Sequence, residues 1–99
     1  MTIQIQSIHF TADRKLLAFI EEKVGKLSQY YDEIISSEIF LRLDKSDQME
    51  NKVAEIKLNV PGNELYVKRQ CRTFEEAVDT GISALSRQVL KHKERQKAY

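Results

Sequence analysis

Residues 53–60 constrain this chain most: Ala54, Ile56, Leu58 and Val60 alternate strictly with Glu55, Lys57 and Asn59. A period of two puts successive side chains on opposite faces of a strand. One face of the resulting sheet is apolar and the other polar, so the sheet needs a cover on one side only. Pro61-Gly62-Asn63 follows with turn chemistry: Pro presets φ, while Gly and Asn tolerate positive φ. Glu64 to Cys71 returns as the next strand, with Leu65 and Val67 inward. Arg69 and Cys71 share that parity, so the strand is expected to leave the core before Arg69.

The same pattern recurs upstream. Ser37 to Leu43 reads as a strand with Ile39, Leu41 and Leu43 inward and Glu38, Phe40 and Arg42 outward. Asp44 to Lys52 is polar and aperiodic, which predicts a solvated hairpin loop. Asp44, Asp47 and Glu50 lack the alternate acidic ligands and the sixth-position Gly of a calcium loop. Thr2 to Phe10 predicts the first strand. Ile3 and Ile5 set one parity and Ile8 and Phe10 the other, so a bulge or a terminal twist is expected between them. His9 reads as a strand-surface histidine.

Two helices are predicted. The first starts at Asp13 as N-cap, with Thr11 competing, and runs to about Ser28. Leu16, Ile20, Val24 and Leu27 are its buried stripe, Lys15, Glu22 and Lys26 point away, and Lys23 lies on the flank. Tyr30-Tyr31-Asp32 closes it, the tyrosines covering the helix end and sheet edge in preference to stacking on bases. The second helix spans Thr73 to about Ala98. Thr73 and Glu76 open it as a capping box, and Val78, Ile82, Leu85 and Val89 make its core face. After Leu90 the apolar residues stop, and Lys91-His92-Lys93-Glu94-Arg95-Gln96-Lys97 continues with good helix formers. Arg87, Lys91 and Arg95 fall on the side opposite the core face, rising ~6 Å per step. Such a row suits successive phosphates of a nucleic-acid backbone.

The element order β-α-β-β-β-α predicts an α+β fold: one domain over residues 1–99, a four-stranded sheet with both helices on one face. Hairpins join strands two to four, and the helical crossover allows strand one to lie parallel to its neighbour. No apolar run approaches the ~20 residues of a membrane span, and the first residues lack a secretory pattern. The lone Cys71 is compatible with a reducing cytosol. Net charge is only +1. From Arg87 onward, however, five basic residues face one acid, giving +4 and leaving −3 for residues 1–86. A basic end on an acidic body can bind phosphate locally. Three glycines supply neither a phosphate loop nor a dinucleotide fingerprint, and two distant histidines with one cysteine give no zinc spacing. No catalytic residue, metal, cofactor or small-molecule substrate is expected. The chain reads as a binding module.

Two segments carry a family resemblance: Lys23-Val24-Gly25-Lys26-Leu27-Ser28-Gln29-Tyr30-Tyr31-Asp32, and Ala77-Val78-Asp79 followed by Leu85-Ser86-Arg87-Gln88-Val89-Leu90-Lys91-His92-Lys93. With their spacing in register, the chain resembles the short ribosome hibernation-promoting factors, the ribosome-associated inhibitor or sigma-54 modulation protein family. The resemblance implies the same fold and a cytoplasmic, non-enzymatic inhibitor of translation in stationary phase. It implies binding to ribosomal RNA in the decoding region of the small subunit, where messenger and transfer RNA would otherwise lie. Carried over by position, the contacts would be Lys23 and Lys26 on the first helix and Arg87, Lys91, Lys93 and Arg95 on the second. Lys68, Arg69 and Arg72 depart from the family pattern, and either extend that patch or face solvent. The chain ends at Tyr99 without the C-terminal domain by which long members pair ribosomes, so silencing of single ribosomes, or help from a separate small dimerising factor, is expected. The rival readings are a protein-interaction module with an acidic partner, such as a transcription factor, and a general RNA-binding domain.

Overall fold

A computed structural model describes residues 1–45 and 49–97. The order is β1 (Thr2–Ile8), α1 (Arg14–Gly25), a 3-10 turn (Lys26–Gln29), β2 (Ser36–Leu43), β3 (Lys52–Val60), β4 (Asn63–Cys71) and α2 (Phe74–Lys97). This is the expected α+β arrangement. The sheet order is β1-β2-β3-β4, with β1 parallel to β2 and the other pairs antiparallel.

Period-two alternation decides which face is covered. Ile39 pairs with Ile56, which pairs with Val67, and Leu58 with Leu65. These residues pack with Leu16, Ile20, Val24 and Leu27 from the first helical stretch and Val78, Leu85 and Val89 from α2 in a single core. Both helices therefore lie on one face. Val53 is the exception: it is buried on the opposite face, in register between Arg42 and Gln70. The charges of that helix-free face are largely paired with each other. Arg42 meets Glu55 at 3.5 Å, and Lys57 meets Glu38 at 3.9 Å and Glu64 at 3.7 Å. The Tyr66 hydroxyl donates to Glu55 at 3.0 Å; partial burial, then that carboxylate, pushes its pKa up.

No bulge separates Ile5 from Ile8: the register with β2 is unbroken and Ile8, opposite Arg42, faces the helix-free side, whereas the return of Phe10 to the core has a local cause. β1 ends at Ile8, and His9 takes φ 63°, a left-handed conformation uncommon outside glycine. The turn redirects Phe10, whose ring stacks on Phe74 at 5.0 Å. His9 is thus the pivot after the strand, not a member of its surface. Gly62, at φ 74°, supplies the expected positive-φ residue of the β3–β4 turn. The hairpin between β2 and β3 is closed by the Asp44 amide donating to the Asn51 carbonyl; Asp47 of the discounted calcium pattern lies outside the described residues.

The first helix start follows the expected capping, and the second shows the Thr73 half of the capping box, with no return bond from the Glu76 side chain among the described residues. Asp13 accepts from the Leu16 amide at 2.8 Å, and Thr73 from the Glu76 amide at 3.1 Å. The first helix tightens into its 3-10 turn after Gly25 instead of continuing as α-helix to Ser28. Leu27 stays fully buried through the change. α2 sits close on the sheet: a Cβ at Gly81 would lie 3.2 Å from Ile56 Cδ1. β4 does not leave the core side where expected, since Arg69 is half-buried and Cys71 still packs at the core margin.

Candidate nucleic-acid interface

The buried stripe of α2 extends beyond Leu90. His92 follows Leu85 by seven positions and Val89 by three, which keeps it on the core face. It is only 8% exposed. Its ring meets Tyr31 edge-on, with centroids 5.6 Å apart. The expectation that the core face stops at Leu90 is therefore corrected. One more turn of α2 is anchored, by an aromatic pair in place of an aliphatic residue. Tyr31 is buried while its neighbour Tyr30 is 46% exposed, so the adjacent tyrosines have separate roles. Burial, with the nearby Glu33 and Asp32 carboxylates, pushes the Tyr31 pKa up.

The anchored turn orients the basic end. Arg87, Lys91 and Arg95 are exposed, and none forms a salt bridge among the described residues. Three cations on a regular helix with no competing carboxylate bonds present a row of donors to solvent. The other predicted contacts differ. Lys23 Nζ lies 3.4 Å from Asp79 of α2 and 5.5 Å from the Phe19 ring centroid. Lys26 Nζ is 3.8 Å from Glu22, one turn earlier in α1. Lys93 Nζ donates to the Tyr30 carbonyl at 3.2 Å, tying the end of α2 to the end of the first helical stretch. The six residues thus divide into three unpaired cations on the outer stripe and three engaged within the chain, Lys23 and Lys93 across the seam between the helices and Lys26 along the first helical stretch.

Two shallow clefts flank the stripe. One, about 400 Å³, is lined by Arg87, Gln88, Leu90, Lys91 and Glu94. The other, about 200 Å³, lies between α2 and the β3–β4 turn and is lined by Asn63, Leu65, Gln88, Lys91, His92 and Arg95. Gln88 secures α2 to the edge strand by donating to the Tyr66 carbonyl at 3.2 Å. Of the remaining basic residues, Lys68 belongs to the parity of the helix-free face, and Arg69 turns back to the Lys68 carbonyl at 3.0 Å. Arg72 is exposed between β4 and α2. Among the described residues no group of His, Cys, Asp or Glu has a metal-binding arrangement, and no helix is long and apolar enough to cross a membrane.

The family described as "Sigma 54 modulation protein / S30EA ribosomal protein" matches residues 3–97. The chain belongs to this family. Its members are ribosome-associated proteins and not enzymes. Similar proteins include the ribosome hibernation promoting factor of Klebsiella oxytoca, 32% identical over 82% of this chain and 81% of that protein. That of Escherichia coli K12 is 27% identical over the full length of both. The fold is shared with a ribosomal subunit interface protein from Coxiella burnetii, at TM-score 0.84 and 21% identity over 95% of this chain and 99% of that one. It is shared too with the N-terminal domain of Thermus thermophilus Protein Y, at TM-score 0.80 and 22% identity over 93% and 99%.

Proposed function

We propose that this chain is a cytoplasmic ribosome hibernation factor, acting through residues 1–99 as one domain. In this reading it binds ribosomal RNA in the decoding region of the small subunit. It inhibits translation in stationary phase by occluding messenger and transfer RNA. The observation that carries the RNA assignment is the unpaired stripe of Arg87, Lys91 and Arg95 on an anchored helix. Relatives of matching length named ribosome hibernation promoting factor support the ribosome as partner. Recognition through phosphate contacts and shape requires a rigid row of cations and no base-reading motif. Lys23, Lys26 and Lys93 join the contact only by exchanging their internal partners for phosphates, so they contribute less per charge. Occlusion needs no chemistry from the protein, and a separate small factor is free to pair the ribosomes it silences.

Sucrose-gradient sedimentation with purified small subunits, across a salt series and with or without messenger and initiator transfer RNA, tests this. Co-migration that weakens with salt and is displaced by those ligands is expected. Absence from the subunit fraction at low salt would sink the proposal. Binding that survives added messenger and transfer RNA would move the site away from the decoding region.

A further inference from the structure

We infer that the cleft between the last turns of α2 and the β3–β4 turn seats a single phosphate group of an RNA backbone. This rests on the ribosomal RNA reading above and adds Asn63, Gln88 and His92 to the site. The cleft holds about 200 Å³ and opens to solvent, room for one tetrahedral oxyanion and its water. Its wall is rich in donors. Lys91 and Arg95 bring two positive charges without salt-bridge partners among the described residues. A guanidinium beside an ammonium matches phosphate with a planar fork and a point charge. Asn63 uses its Oδ1 to accept from the Glu64 amide at 2.8 Å, which leaves its side-chain NH2 as a donor. His92 forms part of the wall, and its buried Nε2 has no hydrogen-bond partner in the described chain. That nitrogen is closed off from solvent, so His92 borders the cleft with the rest of its ring and reports on it without bonding the anion.

The acids that would spoil such a seat are turned away from it. Glu64, next to Asn63, faces Lys57 at 3.7 Å. Glu94, next to Arg95, lines the other cleft with Arg87 and Lys91. Among the described residues the cleft is therefore lined by no carboxylate. Gln88 holds its two walls together through the Tyr66 carbonyl. Arg95 and Lys91 consequently converge on one phosphate, while Arg87, two turns before Arg95, contacts another part of the backbone.

The test has two arms. In the first, the full chain is titrated with inorganic phosphate against chloride at matched ionic strength, with side-chain NMR signals followed. Saturable shifts are expected at His92, Asn63 and Arg95, with none at Lys23 or Lys26. No saturable shift, or equal shifts at all the cations, overturns the seat. In the second arm, Asn63→Asp places a carboxylate in the cleft while keeping the oxygen that caps Glu64. This variant is expected to keep its unfolding midpoint, lose the phosphate shifts and bind small subunits about tenfold more weakly. Gln6→Glu, the same charge change on the helix-free face, is expected to bind like wild type. Unchanged subunit affinity in Asn63→Asp overturns the inference. Should the wild type itself fail to bind subunits, the ribosomal reading falls, and the first arm still decides whether the cleft accepts phosphate.

Discussion

The outer stripe of α2 and the seam between the helices, with Lys26 beside it on the first helical stretch, hold the same kind of residue in two different states. Arg87, Lys91 and Arg95 stand in solvent without salt-bridge partners among the described residues, whereas Lys23, Lys26 and Lys93 each have a partner within the chain. A cation already paired must give up that contact before it gains a phosphate. A free one gains the whole charge-assisted bond. The difference teaches that a count of basic residues overstates a phosphate-binding surface. What matters is how many of them the fold leaves unengaged. The helix-free face makes the same point from the opposite side: Arg42 and Lys57 are present there but tied to Glu55, Glu38 and Glu64.

The largest effect should come from the stripe. Replacing Arg87, Lys91 and Arg95 together by Ala is expected to weaken small-subunit binding by about a hundredfold or more at physiological salt. It should also flatten the salt dependence by roughly two to three units of log–log slope. The unfolding midpoint should stay close to wild type, since none of the three is in the core. Co-sedimentation across salt, read beside thermal denaturation, measures both. Retained binding in this variant removes the stripe from the site.

Next in size is the matching triple replacement of the engaged lysines. Lys23, Lys26 and Lys93 to Ala should reduce subunit affinity by only about tenfold, while lowering stability by about 1 kcal/mol. Exposed ion pairs contribute little individually, so the stability loss comes mainly from the bond between Lys93 and the Tyr30 carbonyl that holds the end of α2. If this variant loses as much affinity as the stripe variant, internal pairing does not govern the contribution of a cation, and the comparison collapses.

Asp79→Asn sharpens the same contrast in the other direction. It releases Lys23 from its partner without changing side-chain size, and should raise subunit affinity about two- to threefold at low salt. A fall in affinity would mean that Asp79 positions Lys23 usefully instead of competing for it.

The smallest effect concerns pH and bears on the seam alone. Burial raises the folded-state pKa of Tyr31, with Glu33 and Asp32 adding to it. The folded protein therefore holds the phenol proton more tightly than the unfolded chain does. That contribution is fully present below the unfolded value of about 10 and is lost as pH rises from there through the folded value. Tyr31→Phe should be as stable as wild type or slightly more so near neutral pH, because it removes a buried hydroxyl with no partner of hydrogen-bonding geometry in the described chain. It should then lose less stability than wild type above pH about 10 in alkaline denaturation. Identical alkaline curves for the two proteins would show that Tyr31 keeps no tighter hold on its proton when folded.

Much of the architecture was legible because it follows from local periodicity and turn chemistry. The alternation of Ala54, Ile56, Leu58 and Val60 settles which sheet face is covered. Asp13 and Thr73 mark helix starts through side-chain oxygens that accept from nearby amides, and the stripe of Arg87, Lys91 and Arg95 needs only the pitch of a helix. The places that were harder to read involve partners distant in sequence. His92 sits in a basic run of the sequence and joins the core only when Tyr31 is brought against it, although its spacing from Leu85 and Val89 carried the signal. The cleft joining Asn63 to Lys91 and Arg95 exists only because the β3–β4 turn reaches the end of α2.

By itself, then, the sequence determined the elements, their faces and the row of cations, since each depends on residues within a few turns or strand positions of one another. Only the tertiary structure decided which cations remain free. An ion pair such as Lys23 with Asp79, or a bond such as Lys93 to the Tyr30 carbonyl, forms between residues brought together by packing two helices on one sheet, and no local pattern encodes that proximity.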